Sequence, residues 1–163
     1  GLIWGLFPEL LAAKGYNLMQ IGIIVAIYPA VWGLGQLFTG KLADLYQKKM
    51  LLFWGMLFQG LAIIAIIYSS TQIHFITVSI ILGLATALVY PTFLATVAAE
   101  TTPEQRAESL GIFRFWRDAG YAFGAILSGF LADHFGVDYA VGTIGILTLF
   151  SALIIQLRME NNK

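Results

Sequence analysis

Arg117, Tyr121, Gly124 and Ser128 recur at i, i+4, i+7 and i+11, so a helix sets a cation, a phenol, a small notch and a hydroxyl along one stripe. Asp118 stands beside the cation. Tyr28, Trp32 and Gln36, at i, i+4 and i+8 around Pro29, make a second stripe of two aromatics and an amide. Thr86 lies one turn before a second Tyr-Pro pair, Tyr90-Pro91. Such groups hold, orient or gate a solute; they do not break bonds. Neither H-E-x-x-H nor G-x-S-x-G occurs, and the absence of cysteine removes thiol nucleophiles, thiolate metal sites and disulfides. The residues therefore read as those of a non-enzyme, with no cofactor and no metal.

The elements that must position these groups are membrane helices. The chain is 59% apolar and 11% charged with a mean hydropathy of +0.82, far from the roughly 45–50% apolar and 25% charged of soluble domains. In lipid each span must satisfy its own backbone hydrogen bonds, so apolar runs read as helices and the fold as all-α. Cutting at polar interruptions gives six segments: 1 to 13, 19 to 40, 50 to 69, 73 to 99, 111 to 133 and 138 to 157. One crossing takes about 20 residues, so the first reads as the truncated end of a longer helix. It has neither the basic leader nor the small-residue cleavage site of a signal peptide.

Ionisable groups within spans cost at least about 2.5–3.5 kcal/mol and need a function or a partner. For Arg117 two readings stand: a gate or substrate-facing cation, or a side chain that snorkels to the surface. Tyr28 and Trp32 either line a cavity or simply pack, whereas Gln36 needs a hydrogen-bond partner. Glu9, after Pro8, is a candidate for proton exchange, or else it reaches outer water. His74 and His134 fall at helix ends and read as solvated. The third and sixth segments are nearly free of polar side chains, Gln59 and Gln156 excepted, and read as lipid-facing support. Gly120 with Gly124, and Gly142 with Gly145, have spacings that permit close helix contacts.

Charge gives the chain a side, because cytoplasmic loops collect Lys and Arg. Lys41, Lys48, Lys49, Arg106, Arg114, Arg117, Arg158 and Lys163 fall on one side, and only Lys14 on the other. This puts the 41 to 49 turn, the 100 to 117 connection and the C-terminus in the cytoplasm, with the lipid bilayer of a plasma (inner) membrane as surroundings. The net charge is zero and no basic patch suits nucleic acid.

Between the second and third segments lies a polar stretch, Gly40-Lys41-Leu42-Ala43-Asp44-Leu45-Tyr46-Gln47-Lys48-Lys49. It reads as a tight turn at the membrane surface. Its frame returns as Gly129-Phe130-Leu131-Ala132-Asp133, on the opposite face and without the basic pair. Two inverted three-helix repeats, approximately 1–70 and 73–157 within one domain spanning 1–163, would produce that echo; chance recurrence of common residues is the other reading.

The stretch from Gly40 resembles the loop signature of the major facilitator superfamily, G-x-L-a-D-r-x-G-r-k-x-x-l. Gly40, Leu42, Ala43, Asp44, Lys48, Lys49 and Leu52 fit it, while Leu45 and Gln47 stand where an arginine and a glycine are usual. Pro91, Pro103-Glu104-Gln105-Arg106, Gly111 and Arg117-Asp118-Ala119-Gly120 resemble the superfamily's fourth-to-fifth helix region. In its drug-proton antiporters the first half's fifth helix carries g-x-x-x-G-P-x-x-G-G; here Gly120, Gly124 and Gly129 align, with Ala125 for the proline and Ser128 for a glycine. These departures, and a tail Leu157-Arg158-Met159-Glu160-Asn161-Asn162-Lys163 similar to a natural C-terminus, point to the second half, helices seven to twelve.

The resemblance implies one six-helix half of a secondary active transporter that moves a small organic solute or drug by alternating access, coupled to protons. Gly40, Asp44, Lys48 and Lys49 would latch the cytoplasmic side, and the partners would be the other six-helix half, a small-molecule substrate and protons. Two further readings remain open: a non-transporting membrane scaffold, and a half-size transporter acting as a homodimer.

Overall fold

An apolar run that must close its own backbone hydrogen bonds has one compact solution, and it is adopted six times among the described residues. The computed structural model describes residues 5–160, the side chain of Asp44 excepted. The helices are α1 (Leu6–Ala13), α2 (Leu18–Leu45), α3 (Lys48–Tyr68), α4 (Gln72–Ala99), α5 (Arg106–Phe135) and α6 (Val137–Arg158). No strand occurs among the described residues. Four of the helices, α2, α3, α4 and α6, are long and apolar enough to cross a membrane. The first, α1, has only 8 residues. The 30-residue α5 falls short in apolarity because Arg106, Glu108, Arg114, Arg117 and Asp118 crowd its first half.

Local chemistry sets the ends. Asn17 starts α2 with a capping box: its side chain accepts from the Gln20 amide at 2.9 Å, and the Gln20 side chain accepts from the Asn17 amide at 3.1 Å. Thr71 caps α4 by accepting from the His74 amide at 3.3 Å. A single residue joins α5 to α6. That residue is Gly136, whose φ of +93° lies in a region that side-chain-bearing residues rarely adopt. In the connection 100–105, Glu104's own backbone amide and then the Thr102 side chain hold its carboxyl below the usual carboxylate range.

The polar turn expected from Gly40 to Lys49 is shorter than the sequence suggested. Helix α2 continues through Leu45 and α3 starts at Lys48, so only Tyr46 and Gln47 lie outside helix. Gly40 sits within α2 with open space around it. One glycine costs a helix only about 1 kcal/mol, and Lys41, Leu42 and Ala43 carry the helix on. The backbone of Asp44 is in the last turn of α2; its side chain lies outside the described residues.

Packing runs as a chain of neighbours: α2 along α4, α4 along α3, and α3 along α6, with α5 leaning on α6. The apolar core gathers toward the end where α1 sits, around Phe7, Leu11, Ile24, Ile66, Phe75 and Val141. At that end the Lys14 ammonium donates to the Ser69 carbonyl at 3.1 Å and lies 5.8 Å from the centre of the Phe75 ring. Glycine sets how close the helices come. A Cβ on Gly83 of α4 would meet the Tyr28 carbonyl oxygen at 2.9 Å and Val31 at 2.9 Å; one on Gly145 of α6 would meet Ile64 at 2.6 Å. The spacing Gly142–Gly145 thus serves helix packing as expected. Gly120 and Gly124 do not, since nothing lies within 4 Å of either.

The closest bond between α2 and α4 answers a specific defect. Pro91 has no N–H, so the Ala87 carbonyl four residues earlier loses its helical partner. Thr39 of α2 supplies one, donating its hydroxyl to that carbonyl at 2.6 Å. Gly35, one turn before Thr39, allows the approach, because a Cβ there would stand 2.7 Å from that of Ala87. Replacing the hydroxyl should strand a carbonyl in an apolar setting. We expect Thr39→Val to lower stability by about 1–3 kcal/mol and Thr39→Ser to cost less than half as much, measured by thermal unfolding in detergent.

Candidate functional site

Where α2, α3, α4, α5 and α6 face one another they leave a cavity of about 630 Å³. Its wall is mixed. Tyr28 and Trp32 come from α2, Met56, Gln59 and Ile63 from α3, and Leu82 and Thr86 from α4. Gly120, Tyr121 and Gly124 come from α5, and Ile144, Leu147, Thr148 and Ser151 from α6. No charged side chain is among these lining residues. The two glycines leave room beside Tyr121 instead of gripping a neighbouring helix.

An aromatic series joins the cavity to a charged group. The Tyr28 and Trp32 rings stack at 6.1 Å and 22°, as their i, i+4 spacing demands. Trp32 meets Tyr90 edge-on at 6.1 Å and 87°. The Arg117 guanidinium then lies 5.4 Å from the Tyr90 ring centre and donates to the Tyr90 hydroxyl at 2.9 Å. It also binds Asp118 Oδ1 through Nε and Nη2, each at 2.8 Å. This is the only ion pair among the described residues. Its arginine side chain is 25% exposed and its aspartate 60%, so the pair is a surface-side feature and not a buried one. The buried indole N–H of Trp32 has no hydrogen-bond partner among the described residues.

The polar side chains on the wall are already engaged on one side. Gln59 Nε2 donates to Thr86 Oγ1 at 3.0 Å, and Thr86 donates in turn to the Leu82 carbonyl at 2.7 Å. Thr148 and Ser151 donate to the carbonyls of Ile144 and Leu147, at 2.8 and 3.0 Å. A hydroxyl bonded to its own helix is inexpensive in an apolar segment.

The sequence-derived candidates divide. Tyr28, Trp32, Thr86 and Tyr121 line the cavity, and Tyr90, Arg117 and Asp118 form the series beside it. Ser128 is turned away from the lining, buried and donating to the Ala125 carbonyl at 3.1 Å. Gln36 is half-buried outside the lining, and Glu9 is exposed on the first turn of α1. Arg117 therefore flanks the cavity and does not line it. The expectation that α3 and α6 serve only as lipid-facing support is corrected. Each exposes a row of large apolar side chains, such as Trp54 and Phe58 or Phe150 and Leu153, and turns its other side to the cavity. Gln59 was visible as a polar exception in its span; Thr148 and Ser151 carried no such signal.

At the opposite end from α1, a second cleft of about 380 Å³ gathers Lys48, Thr96, Ala99, Glu100, Arg158, Met159 and Glu160. The start of α3 and the ends of α4 and α6 thus share one end of the bundle, as the sidedness of the basic residues requires. Gly40 and Lys49 lie in the neighbouring turns of α2 and α3.

An all-helical bundle with membrane-length apolar helices around an uncharged central cavity defines a polytopic membrane protein with one half of a transporter fold. The chain belongs to the major facilitator superfamily: the profile described as Major Facilitator Superfamily matches residues 1–162. Membership places it among integral membrane transporters and not among enzymes. It is 27% identical over 159 residues to an uncharacterized MFS-type transporter of Methanocaldococcus jannaschii, covering 98% of this chain and 40% of that protein. It is 32% identical over 126 residues to the methyl viologen resistance protein SmvA of Salmonella typhimurium, covering 77% of this chain and 25% of SmvA. With the quinolone resistance protein NorA of Staphylococcus aureus the identity is 22% over 157 residues, 95% of this chain and 40% of NorA. The chain thus spans at most about two-fifths of the length of these relatives.

If Arg117, Asp118 and Tyr90 act as one unit, their substitutions will not add. Tyr90→Phe should cost about 1 kcal/mol by removing the acceptor for Arg117. A double-mutant cycle with Arg117→Gln, read by thermal unfolding, should show a coupling of at least about 0.5 kcal/mol.

Proposed function

We propose that this chain is one six-helix half of a secondary active transporter, most consistent with the second half, and that it moves a small organic solute by alternating access. The observation that carries the reading is the cavity of about 630 Å³ between five helices. Its volume lies within the roughly 300–1,000 Å³ of small-molecule sites, and its wall has their composition of apolar surface with a few polar groups. Stacked aromatics fit a cargo with a flat apolar part. The name of NorA, which refers to resistance to quinolones, favours export of such compounds.

In this reading the other six-helix half of the natural protein closes the cavity from the side that α2 and α5 leave open. Many large apolar side chains are exposed there, among them Leu34, Leu37 and Phe38 of α2 and Phe123 and Ile126 of α5. The two triplets α1 to α3 and α4 to α6 are inverted repeats, supported by the shared Gly-x-Leu-Ala-Asp frame. The basic end, with Lys48, Lys49 and Arg158, faces the cytoplasm, and the protein resides in the plasma (inner) membrane. Gly40, Asp44, Lys48 and Lys49 form the cytoplasmic latch, at the junction of α2 and α3.

Transport is coupled to protons, with Glu9 as the candidate carrier in this half.

The test is flux through the full-length natural protein in liposomes, with and without an imposed pH gradient. We expect the gradient to accelerate movement of an aromatic solute. Trp32→Ala should lower the initial rate by about tenfold through loss of the stacked wall. Equal rates with and without the gradient would contradict coupling, and unchanged flux in Trp32→Ala would contradict the assigned pathway.

A further inference from the structure

The hydrogen bonds on the cavity wall leave it with a definite polarity. A serine or threonine hydroxyl has one proton to give and two lone pairs to accept with. In this wall the proton of each aliphatic hydroxyl is already spent on its own helix: Thr86 on the Leu82 carbonyl, Thr148 on Ile144, and Ser151 on Leu147. Their oxygens can therefore only accept. The same bonds fix the orientation of Gln59. Thr86 has no proton left to give it, so the amide donates one N–H to Thr86 Oγ1, as the 3.0 Å contact from Nε2 has it, and its carbonyl oxygen, with two lone pairs, is left over beside a single remaining N–H. The one indole on the wall adds no donor, because Trp32 Nε1 is sealed from the cavity by packing. Tyr28 and Tyr121, phenols that both give and accept, are neutral in this count.

We infer that the cavity selects cargo carrying an N–H donor on an aromatic frame, a primary or secondary ammonium, over the same frame with a fully substituted nitrogen. Acceptor oxygens of Gln59, Thr148 and Ser151 take the N–H protons, and the Tyr28–Trp32 stack takes the ring. With no carboxylate on the wall, charge alone does not retain a cation there. Hydrogen bonds from the charged donor supply what a fixed counter-charge would otherwise provide. A quaternary ammonium has the charge and the ring but nothing to donate, so it loses these bonds outright. Methyl viologen, whose nitrogens bear no hydrogen, is on this account a poor fit for this wall. This inference rests on the proposed transport role of the cavity, although binding tests it without flux.

Two probes of equal charge and the same ring system separate the terms: 2-(2-naphthyl)ethylammonium and its N,N,N-trimethyl derivative. Equilibrium binding to the full-length natural protein in detergent is followed by naphthalene fluorescence. The primary ammonium should bind about tenfold more tightly, the difference expected for one charge-assisted hydrogen bond. Ser151→Ala and Thr148→Val should each erode that preference and leave the trimethyl probe unchanged. Equal affinities for the two probes, binding of neither, or variants that weaken both probes alike would overturn the inference. Flux of the same probes into liposomes reports separately on transport: preferential binding without flux would keep the inference and overturn the transport reading.

Discussion

The pairing of α2 with α4 is the constraint on which the rest of the bundle depends. Pro91 of α4 leaves the Ala87 carbonyl without a helical partner, and Thr39 restores one from the neighbouring helix at 2.6 Å. Two glycines make the approach possible, Gly35 against Ala87 and Gly83 against the backbone of Tyr28. The same contact fixes which way the aromatics point. With α2 held so close to α4, Trp32 can meet Tyr90 edge-on, and Tyr90 in turn offers its hydroxyl to Arg117. One compensated defect thus connects helix packing to the wall of the cavity and to its charged rim.

Stability and openness are divided between the ends of the molecule. Toward α1 the helices are packed around Phe7, Phe75 and Ile66, and Lys14 ties the α1–α2 connection to the end of α3. Toward the middle the side chains thin out. Glycines at 120 and 124, which would be helix-packing notches if a neighbour filled them, leave space there instead. The bundle is thus closely packed toward α1 and open in its middle.

The helices were legible in the sequence because lipid leaves an apolar run no alternative, and four of the expected crossings meet the length and apolarity needed. Their ends were not. The second segment was cut at Gly40, where the polar stretch begins, yet a single glycine within Thr39-Gly40-Lys41-Leu42-Ala43 costs too little to stop a helix. Tyr28 and Trp32 were legible from their i, i+4 spacing, and Tyr90 with Arg117 from polarity within a span. Thr148 and Ser151 were hidden for a physical reason: each satisfies its proton on its own backbone, so nothing distinguishes it from a hydroxyl tolerated in lipid. Only the position of α6 against α3, set by Gly60 and Gly145, turns them toward a common space.

The space between α2 and α6, proposed as a solute pathway, must be aqueous and not a lipid-filled crevice. The chain has no cysteine, so one introduced at Ser151 reports on that space alone once any cysteine elsewhere in the natural protein is replaced. The measurement is the reaction of Ser151→Cys, in sealed membrane vesicles, with a charged, membrane-impermeant thiol reagent and with a lipid-soluble one. Modification by the charged reagent is expected. Modification by the lipid-soluble reagent alone would contradict it, returning α6 to the role of a lipid-facing support.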